Sequence, residues 1–169
     1  MGYSVREVAE SELPAVVSVI NAAFQVENFF KCADRTSLED VQQQIANGGR
    51  FLVALDEAGV VCASILVEHS GPRAYFGMLA VKPGLQRSGL GRTMVTAAED
   101  WGRAQGCSYM EMCIIDLRAD LPDYYHSLGY VDSRVDEVHG CPAEHFTKPV
   151  KFRYMSKSLV DEGVGLQRQ

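Results

Sequence analysis

At 169 residues the chain can bury a real core, and it is read as one domain over 1–160 followed by a flexible polar tail over 161–169. Its 47% apolar and 22% charged composition is that of an ordinary globular protein, and no apolar run approaches membrane-span length. A net charge of −6 argues against nucleic acid as the main partner and steers weakly toward a cationic rather than an anionic acceptor.

The elements follow in chain order. Residues 3–8 read as a first strand. Ser11 is placed as a helix cap with Pro14 in the first turn, and Leu13, Val16, Val17, Ile20 and Phe24 form the apolar face of a first helix. Residues 25–35 have no clear period. Thr36 to Glu39 reads as a capping box, opening a second helix that Gly48 and Gly49 close. Two strands, 51–55 and 60–68, are apolar throughout, which predicts a sheet covered on both faces. A third runs from Tyr75 to Val81, ending in Leu79, Ala80 and Val81. After a turn at Lys82-Pro83-Gly84 comes Gln86-Arg87-Ser88-Gly89-Leu90-Gly91-Arg92, and from Gly89 a long amphipathic helix. Residues 107–115 give a buried strand parallel to 75–81, since a helix separates the two. A short helix within 116–128 includes Pro122, a strand runs near 130–138, a loop covers 139–149, and a last strand spans 150–156. The predicted fold is a mixed α/β sheet with the order β-α-α-β-β-β-α-β-α-β-β.

The stretch from 86 to 92 carries the chemistry. Strand, glycine loop and helix aim free backbone N–H groups and a positive dipole end at one point, which suits an anion such as a diphosphate. Gly89 and Gly91 permit close approach, and Arg87 and Arg92 add charge. A dinucleotide fingerprint would need glycine where Met94 stands, and a Walker loop would need lysine where Arg92 stands. The plain alternative is a strand-to-helix turn with a glycine cap.

The loop resembles the Gln/Arg-x-x-Gly-x-Gly/Ala segment of the GCN5-related N-acetyltransferases (GNAT), which holds the pyrophosphate of acetyl-CoA. A second match lies downstream. Tyr125 through Gly129 and Tyr130 resembles that family's Tyr-x-x-x-Gly-Phe/Tyr signature, and the predicted order of elements is the family's own. The resemblance implies acetyl-CoA as cosubstrate, with Leu79, Ala80, Val81, Gln86, Arg87, Ser88, Gly89, Leu90, Gly91 and Arg92 as its binding set. It implies Tyr125 as general acid and a small-molecule or peptide amine as acceptor. Backbone N–H groups near Leu79 are expected to stabilise the oxyanion. The acceptor is expected near Glu27, Phe29, Phe30, Asp34, Arg35 and Glu111, and Glu68 is a further candidate base. Phe29 and Phe30 are read as an anchor with pocket contact possible, Tyr124 as packing. Arg118, where relatives often carry asparagine, either contacts the cofactor or plays a structural part. An acyl-CoA-binding regulator without turnover, or a transferase using another acyl group or acceptor, are the competing readings.

The five cysteines are scattered and odd in number, and the four histidines lack metal spacing, so neither a disulfide framework nor a metal is expected. Cys62, Cys107 and Cys113 read as core; Cys32 and Cys141 fall in loops. With no leader-like segment, a cytoplasmic location is expected, and a homodimer is possible by analogy with relatives.

Overall fold

The computed structural model of the protein describes residues 2–137 and 143–160. Cys141, His139 and the expected tail lie outside the described residues. Seven strands and four α-helices alternate as β1 (Ser4–Glu7), α1 (Leu13–Ala23), α2 (Leu38–Ala46), β2 (Arg50–Leu55), β3 (Val61–Ser70), β4 (Arg73–Val81), α3 (Leu90–Ala104), β5 (Tyr109–Ile115), α4 (Leu121–Ser127), β6 (Val131–Glu137) and β7 (Lys151–Ser158). This is the predicted order. All strands join one sheet, ordered β1-β2-β3-β4-β5-β7-β6, in which only β4 and β5 pair in parallel.

Burial follows the patterning. In α3, Leu90, Met94, Val95 and Ala98 point inward at helical spacing and pack on Phe76, Met110, Met112 and Met155. On the opposite face α1 and α2 contribute Val16, Ile20 and Val41 against Phe51 and Val53. β2 and β3 sit between these two cores, which is why both read as continuous apolar runs. β6, by contrast, is exposed along nearly its whole length and forms a sheet edge laced with Asp132, Arg134 and Asp136.

Two helix starts differ from the prediction. Ser11 lies inside a 3-10 turn over Glu10–Glu12, and the Glu12 carboxylate accepts the Ala9 N–H at 2.8 Å in its place. At α2 the cap is Ser37, whose hydroxyl accepts the Asp40 N–H at 3.1 Å. Thr36 is unavailable for that role because it is buried, with its N–H and C=O both bonded to the Asn21 side chain at 2.9 Å. Capping passes to the next residue, whose φ of −135° is extended.

Candidate active site

The sheet opens between β4 and β5. Their rungs are Arg73 to Tyr109, Ala74 to Met110 and Tyr75 to Glu111, after which β4 continues to Val81 and β5 to Ile115 without pairing. A bulge drives the divergence. Leu66 pairs with Gly77 and Ser64 with Ala80, so Ile65 alone faces both Met78 and Leu79. Met78 takes a φ of +53°, unusual for a residue with a side chain. The bulge also swaps faces: Phe76 packs toward α3, whereas Met78 and Ala80 pack toward α1. Main-chain groups on the β5 side of β4 beyond Tyr75 therefore lose their ladder partners and face a wedge-shaped gap.

The predicted phosphate loop stands at the mouth of this gap. Gln86, Arg87, Ser88 and Gly89 are exposed, Leu90 is buried beneath them, and α3 starts directly after Gly89 at φ +86°. Thr93 donates to Gly89 O at 3.1 Å, the first bond of the helix, which leaves the N–H groups of Leu90, Gly91 and Arg92 without intrahelical acceptors. Arg87, at φ +64°, turns the chain into the helix, while Gln86 folds back to donate to Val81 O at 3.4 Å. A Cβ on Gly89 would meet nothing within 4 Å, so the corner is open. Lys82, Arg87 and Arg92 all lie here, and none has an ion-pair partner among the described residues. The result is a concentrated positive point on an acidic protein, with free N–H donors at its centre.

Helix α4 closes the gap from the other side. Tyr125 is buried, its ring 6.1 Å from those of Phe76 and Tyr130, and burial pushes its phenol well above the ordinary value. Its hydroxyl has no hydrogen-bond partner among the described residues, yet the one described side-chain atom both sealed and unpartnered is Ser64 Oγ. Tyr125 thus keeps a protonated, uncommitted hydroxyl. Tyr124, read as packing, lies edge-on to Tyr125 at 5.1 Å, and its hydroxyl is 2.9 Å from where a Cβ on Gly91 would stand. A tyrosine one position before Tyr125 carried no signal of this, because the approach of α4 to α3 is a tertiary fact.

The expected acceptor residues divide. Glu27 is buried and bound to Arg118 at 3.0 Å and Lys31 at 3.8 Å, so Arg118 ties the first loop to the β5–α4 connection. Arg118 also chelates Asp120 at 3.0 Å and holds that carboxyl below its usual value. Phe30 is fully buried and anchors the loop, while Phe29 is half exposed, edge-on to Phe30 at 4.6 Å and under Lys148. Glu111 is paired rather than set at a wet cleft: Arg73 reaches it at 2.7 Å and Arg134 at 3.1 Å. Asp34 and Arg35 line a cleft of about 340 Å³ beneath the loop, together with Asn21 and Phe24. The loop is pinned to the β6–β7 connection, since Cys32 N–H donates to His145 O at 2.9 Å and Thr147 N–H to Phe30 O at 2.7 Å. Under this roof, Tyr75 Oη and Cys113 Sγ meet at 3.3 Å across the first unpaired step of the gap. That pair was not foreseen as a site feature, because its members are 38 residues apart. Glu68 stands opposite Tyr75 across the β3–β4 ladder, one strand further from the gap. A second cleft, of about 370 Å³ between β6 and β7, is lined by none of the expected residues.

Comparison with known proteins places the chain in a family. The model of the acetyltransferase (GNAT) family matches residues 14–130, more than half of the chain. The chain belongs to the GNAT family. It is an acyltransferase, and the family uses acetyl-CoA. Solved structures of the same fold include the ribosomal-protein-S18-alanine N-acetyltransferase from Escherichia coli (15% identity, TM-score 0.75, covering 96% of this chain and 97% of that one). A GNAT-family acetyltransferase from Staphylococcus aureus Mu50 gives 16% identity and a TM-score of 0.73, covering 94% of this chain and all of that one. yncA of Salmonella typhimurium, solved with its cofactor acetyl-CoA, gives 20% identity and 0.71, covering 96% of each chain. No curated protein matches the chain. Among the described residues no helix is long and apolar enough to cross a membrane, and no group of three or more His, Cys, Asp or Glu is placed to hold a metal.

Proposed function

We propose that this GNAT acyltransferase moves the acetyl group of acetyl-CoA to a primary amine by direct attack, with Tyr125 as the proton donor. The observation that carries the reading is the open, positively charged start of α3, with Lys82, Arg87 and Arg92 unpaired, leading into the unpaired stretch of β4 and β5. The N–H groups of Leu90, Gly91 and Arg92 would grip the diphosphate, with Gln86 through Gly89 around it and Leu79 to Val81 along the pantetheine arm. The thioester carbonyl then faces the bulge, where freed N–H groups near Leu79 stabilise the developing oxyanion. The amine nitrogen forms the new C–N bond and the C–S bond breaks. The sulfur receives the Tyr125 proton, the amine gives its own to water or a base, and Tyr125 is reprotonated from solvent. Burial keeps the phenol protonated at neutral pH, so the proton is in place when the sulfur becomes negative.

The test is thiol release from acetyl-CoA across a panel of amines, comparing wild type with Tyr125→Phe. Amine-dependent release that collapses in the variant, with acetyl-CoA affinity retained, supports the reading. Acetyl-CoA binding without release on any amine would favour a regulator that senses the cofactor.

A further inference from the structure

One charged group beneath the roof of the gap has no counter-charge. The face of the sheet opposite α3 carries Tyr75 on β4, Glu111 and Cys113 on β5, and Tyr154 on β7, and Arg35, in the α1–α2 loop, lines the cleft of about 340 Å³ with Asn21 and Phe24. The buried carboxylates near it are both spoken for: Glu27 by Arg118 and Lys31, Glu111 by Arg73 and Arg134. Arg35 is half-buried, its guanidinium 5.3 Å from the centre of the Phe24 ring, and makes no ion pair among the described residues. Burial raises both the Tyr75 hydroxyl and the Cys113 thiol, and the Arg35 charge acts against that rise at each. Asp34 beside it is exposed and makes no ion pair among the described residues, and Glu68 lies one strand away. The cleft that Arg35 lines with Asn21 and Phe24 thus holds a guanidinium without an ion-pair partner among the described residues, on a chain whose net charge is −6.

We infer, resting on the transferase reading above, that the acceptor is an amine that also carries a carboxylate, an amino acid in its free form, with Arg35 binding the carboxylate. A guanidinium half-stripped of water and stacked on an aromatic ring is preorganised for a bidentate carboxylate contact. The transfer balances as before: C–N forms, C–S breaks, and one proton passes from the amine to solvent while the thiolate takes one from Tyr125.

The experiment measures thiol release from acetyl-CoA with the standard amino acids, their C-terminal amides and spermidine, using the full chain, Arg35→Met and Arg35→Lys. The best acceptor is expected to be a free acid with kcat/KM about 10-fold or more above that of its amide, the value of a charge-assisted hydrogen bond. Arg35→Met should bring that acid-to-amide ratio close to one, chiefly by raising KM for the acid, and Arg35→Lys should restore part of it. Amides or spermidine turned over as well as the acids, or an acid preference that survives Arg35→Met, would overturn the inference and leave the transferase reading standing. No release with any member of either class would overturn both.

Discussion

Tyr125 and the residue before it show how far a side chain's neighbourhood decides its use. The Tyr125 hydroxyl lies in a core of rings with no partner to lose, so Tyr125→Phe should leave thermal stability almost unchanged, while kcat falls by about 10²–10⁴-fold and acetyl-CoA affinity stays within a few-fold. Steady-state kinetics beside calorimetric binding separates these effects, and a parallel loss of affinity would mean that the residue holds the cofactor instead. The placement of Tyr125 on α4 was legible because its signature is local, an aromatic four residues before a glycine that takes φ +96°. The contact Tyr124 makes was not. It depends on the 2.9 Å approach to the Cβ position of Gly91 on another helix, and nothing within five residues encodes that. The shift of the α2 cap from Thr36 to Ser37 has the same origin, since Asn21 captures Thr36 from fifteen residues away.

At the scale of elements, what makes the site is the failure of two strands to stay paired. The apolar run at 75–81 announced β4, and the helix after it announced a parallel β5, but the bulge at Met78 left no mark in composition because the residue forced to φ +53° is not glycine. The insertion of β7 between β5 and β6 was equally silent: the spacing of strands says nothing of their order once a hairpin doubles back. Ion pairs then lock the elements around the gap. Arg118 is the tie between the α1–α2 loop and α4, and removing it leaves Glu27, with 6% of its side chain exposed, facing Lys31 alone at 3.8 Å. Arg118→Ala should therefore cost about 3 kcal/mol in urea unfolding, within the range for stranding a buried charge. The double variant Arg118→Ala/Glu27→Gln should recover part of that loss; a double variant no better than the single would show that lost packing, and not the buried carboxylate, sets the cost.

Over the whole molecule, charge is distributed against its own average. The chain is acidic, yet Lys82, Arg87 and Arg92 around the start of α3 and Arg35 in the α1–α2 loop stand without carboxylate partners among the described residues, a local balance that net charge does not foretell. Several surface charges elsewhere pair, and one pair sets a pH dependence. Arg6 and the Ala9 N–H hold the Glu12 carboxyl down to about 2, from an ordinary value near 4.5. A carboxylate depressed in the folded state stabilises fully above its unfolded value and loses that contribution as pH falls through the folded one. The melting-temperature difference between wild type and Glu12→Gln should accordingly be constant above about pH 5 and shrink as pH falls toward 3. It should also be small, since the Arg6 side chain is 48% exposed and solvent screens the pair.

The proposed reaction depends on a diphosphate seated at the start of α3, and titration calorimetry of acetyl-CoA onto wild type, Gly89→Ala and Gly89→Asp addresses that directly. A Cβ at Gly89 meets open space, so both variants should fold, at the modest cost of a side chain at φ +86°. The alanine variant should bind acetyl-CoA within about 10-fold of wild type, and the aspartate variant, with a carboxylate where the phosphates belong, should lose about 100-fold or more. Affinity in Gly89→Asp equal to that of wild type would contradict the placement of the cofactor and the function built on it.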